Sequence, residues 1–245
     1  MDAICAAFVG SESESIQNLS ITILDRVMNK REKIPALTRL QHGDSRYRAA
    51  LHEYLSDRAP ETLTALGNLD ILQWKKLALF CSVKCPGALI LQTYDLARAL
   101  RDAGVTVISG FHSPMEKECL ALLLRGTQPV IVCPARGLER MRLPTAWKAP
   151  LAQGRLLIVS PFAGKQHRIT ADLARKRNEF VAALADEVFF AYAAPGSKTE
   201  RFCHDVLAWG KPLLTLESDD NAHLLALGAR AVRPENVGEQ WATNS

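Results

Sequence analysis

The chain has 245 residues, 48% hydrophobic and 23% charged, which allows one sizeable core with a small appendage and excludes a disordered or fibrous chain. Formal net charge is only +4, yet residues 136–179 carry ten Lys/Arg against three acids, a local +7 that leaves −3 elsewhere. Such a cluster suits a polyanion or phosphate ligand, and equally a solvated face.

In chain order, residues 1–70 read as a helical extension. Apolar residues at 16, 19, 23, 24 and 27, and again at 50, 51, 54 and 55, keep helical spacing. Pro60 opens a further turn, and Leu63, Leu66, Leu69 and Leu72 continue the stripe. From residue 71 strand and helix patterns alternate. Apolar strands are expected at 77–81, 105–108, 129–133, 156–159, 187–192 and 212–216, with a short one at 231–232. Helices are expected at 88–103, with Leu91, Leu96, Ala97 and Leu100 inward, at 115–125, 170–186, from about 199 to 209, and at 219–227. The stretch 136–150 reads as irregular. Helices between strands mean βαβ units, so the fold class is α/β: a Rossmann-like doubly wound, mostly parallel sheet over 71–245 with a small N-terminal helical extension over 1–70.

Two junctions carry candidate chemistry. The β-branched run ending at Ser109-Gly110 meets a polar loop, Pro114 and the acidic helix start at Glu116. A glycine there permits close backbone approach, and helix N-termini present free N–H groups to anions. The second is Pro195-Gly196-Ser197-Lys198-Thr199-Glu200, where small residues, a point charge and hydroxyls open a helix. It lacks Walker A spacing, and Ser197 or Thr199 serves equally as an N-cap. We expect the two turns to face each other across one crevice. Arg175-Lys176-Arg177-Asn178 covers a full helical turn, so only Arg177 or Asn178 is expected to face it. Six cysteines and six histidines show no zinc-ligand spacing, so no metal and no cofactor is expected. No apolar run approaches ~18 residues and the start has no basic leader, so we expect no membrane partner and a cytoplasmic setting.

In order and spacing, three stretches resemble the DNA-processing protein A (DprA/Smf) family over about residues 45–233. Residues 109–116 (S-G-F-H-S-P-M-E) are similar to its S-G-x-A-x-G-I-D strand end, Arg177-Asn178-Glu179 to its R-N-R helix, and residues 195–200 to its S-G-S-x-x-T-A turn. The resemblance implies a non-catalytic protein that binds single-stranded DNA in a basic groove, passes it to a RecA-type recombinase and forms a homodimer. It assigns phosphate contacts to Ser82, Ser109, Gly110, Lys165, Arg168, Arg177, Asn178, Gly196, Ser197, Lys198 and Thr199. Departures weaken it: Val83 stands where the family's G-S-R has arginine, Glu179 replaces the second arginine of R-N-R, and Pro114 replaces a glycine. The second turn also resembles a degraded P-G-G-x-G-T-x-x-E loop of the LOG phosphoribohydrolases. That alternative makes the chain a nucleotide-binding or nucleotide-hydrolysing protein with Glu116 or Glu200 as the working carboxylate.

Overall fold

The computed structural model describes residues 35–47 and 49–242. The helix expected around residues 16–28 lies outside them. The strands are β1 (Thr38–Gln41), β2 (Thr62–Gly67), β3 (Lys76–Phe80), β4 (Thr106–Ser109), β5 (Val130–Val132), β6 (Leu156–Ser160), β7 (Glu187–Phe190), β8 (Leu213–Leu216) and β9 (Arg230–Val232). The helices are α1 (Ala50–Leu55), α2 (Gly87–Asp102), α3 (Pro114–Leu123), α4 (Thr145–Ala152), α5 (Ala171–Leu184), α6 (Lys198–Ala208), α7 (Ala222–Ala226) and α8 (Val237–Ala242).

All these strands belong to one sheet in the order β1-β2-β6-β5-β4-β3-β7-β8-β9. The seven from β6 to β9 are parallel, while β2 runs antiparallel to both β1 and β6. Alternation along each central strand builds two cores. In β3, Ala78 and Phe80 face the cluster under α1, α5, α6 and α7, while Leu77 and Leu79 face the cluster under α2, α3, α4 and α8. This is the doubly wound α/β architecture expected from the alternating pattern.

Three expectations are corrected. The stripe after Pro60 is strand β2 followed by a 3-10 turn (Leu69–Gln73), so residues 35–70 add two strands to the sheet where helices alone were expected. Its leucines recur every third residue, close enough to a helix period to mislead; pairing with β6, Ala65 opposite Val159 and Leu66 opposite Ile158, decides the conformation. Within 136–150, α4 begins at Thr145. Leu91, expected inward, is 65% exposed on α2.

Candidate nucleic-acid interface

Parallel strands end at one edge, and a crevice opens where successive connections leave for opposite faces. Here that point lies between β3 and β7: α2 leaves β3 for one face and α6 leaves β7 for the other. The crevice therefore lies between the loops that follow these two strands. Ser82 ties them together. Its N–H donates to Tyr192 O at 2.9 Å, and its hydroxyl accepts from Ala194 N at 3.1 Å. Ser82 is buried, and its hydroxyl makes this structural contact between the two loops.

Gly110 and Gly196 do share the carboxyl edge, but their strands are not neighbours, because β3 lies between β4 and β7. The turn at Gly196 has φ +72°, a left-handed conformation that glycine adopts without strain. Ser197 is the N-cap of α6: its Oγ accepts from Glu200 N at 3.1 Å, and the Glu200 carboxylate accepts from Gly196 N at 2.7 Å. Ser197 and the Gly196 N–H are thus engaged within the turn, while Lys198 is exposed and Thr199 half-buried beside it.

The end of β4 is occupied from within. Ser109 is fully buried; its hydroxyl donates to Leu79 O at 2.7 Å and accepts from Phe111 N at 3.3 Å. Gly110 makes room for Arg177, since a Cβ at Gly110 would stand 1.1 Å from Arg177 Nη1. The guanidinium lies over this glycine, donates from Nη1 to Cys133 O at 3.2 Å and from Nε to Asn178 Oδ1 at 2.7 Å. It is 5% exposed, and burial pulls its pKa below the ordinary arginine value against the opposing pull of Glu116. Arg177 and Ser109 are thus buried and bonded within the fold, and Asn178 holds Arg177. The first two motifs form one device: α5 is pinned over the ends of β4 and β5.

Glu116 and Glu200 hold equivalent positions at two helix starts. Glu116 Oε2 accepts from His112 N at 2.8 Å and Ser113 N at 3.0 Å, while Ser113 caps α3. Each carboxylate is turned to its own helix terminus. Glu179 accepts from Arg58 and from Arg175, both at 2.5 Å, and Lys176 pairs with Asp172 at 2.9 Å. The charges of Arg175 and Lys176 are thereby balanced on α5 itself.

Lys165 and Arg168, in the loop after β6, are exposed and make no ion pair among the described residues, as is true of Lys198. Adjacent strands lie ~4.8 Å apart, so the four steps from β7 to β6 set these cations at the ends of a track about 19 Å wide. Val83, at the β3 loop, is 82% exposed. A cavity of about 580 Å³ opens beyond the ends of β8 and β9, but its lining of Asp95, Glu217 and Glu235 around Arg233 disfavours phosphates. Among the described residues no group of three or more His, Cys, Asp or Glu could hold a metal ion, and no helix is long and apolar enough to cross a membrane.

A doubly wound α/β domain of this strand order defines a Rossmann-like protein. Residues 38–239 match the family described as DNA recombination-mediator protein A, and the chain belongs to that family. Among solved structures, it is similar to DNA processing protein A (DprA) from Streptococcus pneumoniae, with TM-score 0.71 and 20% identity over 89% of this chain and 77% of that one. It is similar too to DNA processing protein A from Helicobacter pylori, whose structure concerns a single-stranded DNA binding mode: TM-score 0.69, 21% identity, 86% of this chain and 98% of that one. The molybdenum cofactor binding protein of Rippkaea orientalis shares the fold more distantly, at TM-score 0.50 and 14% identity over 69% of this chain and 96% of that one. No curated protein matches the sequence.

Proposed function

We propose that this chain is a non-catalytic single-stranded DNA-binding protein of recombination, which holds the strand's phosphates along the carboxyl edge and, as a homodimer, hands it to a RecA-type recombinase. Family membership over residues 38–239 carries this reading. The exposed Lys165, Arg168 and Lys198 support it, as do Glu116 and Glu200, each committed to a helix start. Gly110, Gly196 and Thr199 shape the track, while Ser82, Ser109, Arg177, Asn178 and Ser197 keep it in place. Contacts of this kind are sequence-tolerant and weaken with salt, by about 0.7 in the log–log slope per phosphate neutralised on a single strand.

The test is oligo-dT binding across a salt series, with the Lys165→Ala, Arg168→Ala, Lys198→Ala triple variant beside the parent. The slope is expected to fall by about 2 in the variant, with little change in melting temperature because all three side chains are exposed. An unchanged slope would overturn this track; no binding by the parent at low salt would overturn the function.

A further inference from the structure

The amino edge of the sheet, opposite the crevice, has a cavity of its own, about 260 Å³ in volume, where β3 and β4 begin. Trp74, Lys75, Thr106 and Trp241 line it, together with the turn at Gly104 that follows α2. Trp241 on α8 is a fixed wall: its indole is 8% exposed and Nε1 donates to Glu187 Oε2 at 2.9 Å. Trp74 is an open one. It is 48% exposed, more than any other aromatic residue described, and its indole makes no hydrogen bond or ring contact among the described residues. An indole is ordinarily covered, because it carries a large apolar area out of water.

Two polar groups of the cavity also lack partners. Lys75 is exposed and makes no ion pair among the described residues, whereas its neighbour Lys76 pairs with Asp186 at 3.2 Å. Thr106 is 4% exposed, and its hydroxyl makes no hydrogen bond among the described residues. Buried hydroxyls are normally hydrogen-bonded, so this one points to an occupant. Water would satisfy Thr106 but would leave the indole face uncovered. The carboxylates beside these residues are engaged: Glu187 accepts from Trp241 and Arg230, and Asp102 from Arg101 at 2.7 Å. The charge left at the cavity is therefore that of Lys75, which favours an anion.

A flat ring for Trp74, a polar ring edge for Thr106 and a negative group for Lys75 are the parts of one nucleotide. The volume agrees, lying just below the ~300–1,000 Å³ of pockets for larger ligands. We propose that this cavity is a nucleotide site, in which a nucleobase stacks on Trp74 and meets the Thr106 hydroxyl while its phosphate pairs with Lys75. A free nucleotide and one unit of a single strand present the same groups. The site lies at the other end of the strands from Lys165, Arg168 and Lys198, so it stands without the strand-binding track.

The test is equilibrium dialysis of labelled dAMP against the full chain, with tryptophan fluorescence quenching beside it. The parent should retain dAMP with saturable quenching, and Trp74→Leu should weaken retention about tenfold. Lys75→Ala should weaken dAMP about threefold at low salt and leave deoxyadenosine, which has no phosphate, unchanged. Thr106→Val should lose about threefold, and Thr106→Ser, which keeps the hydroxyl, should bind as the parent does. No retention of dAMP by the parent, or undiminished retention in Trp74→Leu, would overturn the site. Equal losses of dAMP and deoxyadenosine in Lys75→Ala would overturn the phosphate contact. Oligo-dA separates the two sources in the Lys165→Ala, Arg168→Ala, Lys198→Ala background: displacement of dAMP there assigns the site to a strand, and dAMP retained against it to a free nucleotide. Failure of the carboxyl-edge track would leave dAMP retention intact, and failure here would leave the salt slope of that track intact.

Discussion

Arg177 illustrates how the surroundings of a cation escape local sequence pattern. In sequence it is one cation in a basic run, and the helix period cannot tell which face meets what. Its seat on Gly110 comes from a contact across 67 positions that no local pattern reveals. Gly110→Ala should displace the guanidinium from Cys133 O and lower stability by about 2 kcal/mol. In an Arg177→Ala background the same change should cost below about 0.5 kcal/mol, because the clash has gone. A double-mutant cycle in urea measures that coupling, and additive losses would contradict the seat. At Val83 the family's arginine is missing from an exposed position. Val83→Arg should tighten oligo-dT binding about threefold at low salt and steepen the salt slope by about 0.7.

At the scale of elements, the parallel strands were legible because buried on both faces they become short apolar, β-branched runs bounded by turn residues. Helix starts were legible where capping chemistry is local, as in Ser113-x-x-Glu116 and Ser197-x-x-Glu200. What stayed hidden depends on partners far along the chain: β2 exists through pairing with β6, and β1 through pairing with β2. The candidate site divides in the same way. The two glycine turns were readable, but their separation by β3 was not, since strand order is not written locally. Ser197→Ala removes the acceptor for Glu200 N and should cost about 1 kcal/mol, lowering the melting temperature by about 2–4 °C. Loss of oligo-dT binding without that shift would instead place the hydroxyl at the ligand.

For the whole molecule, several surface carboxylates are paired with neighbouring arginines or lysines, while Lys165, Arg168 and Lys198, without an ion pair among the described residues, lie in loops at the carboxyl edge. Asp44 is held below its ordinary pKa by hydrogen bonds from Arg46, Asp102 by Arg101, Asp172 by Lys176 and Arg175, and Glu217 by Arg233. A depressed carboxylate stabilises the fold above its unfolded pKa, and that contribution is lost as pH falls through the folded value. Melting temperature is therefore expected to hold down to about pH 4 and to drop below it, and Asp172→Asn should flatten part of the drop. A decline beginning near neutral pH would point to other groups.

The seat of Arg177 on Gly110 carries a consequence for descent. Any lineage that puts a side chain at 110 must surrender the arginine at 177, and one that loses the arginine is freed at 110. The two positions should therefore change together among relatives, and a chain keeping the glycine without the arginine would be expected to fill the gap with a bulkier neighbour.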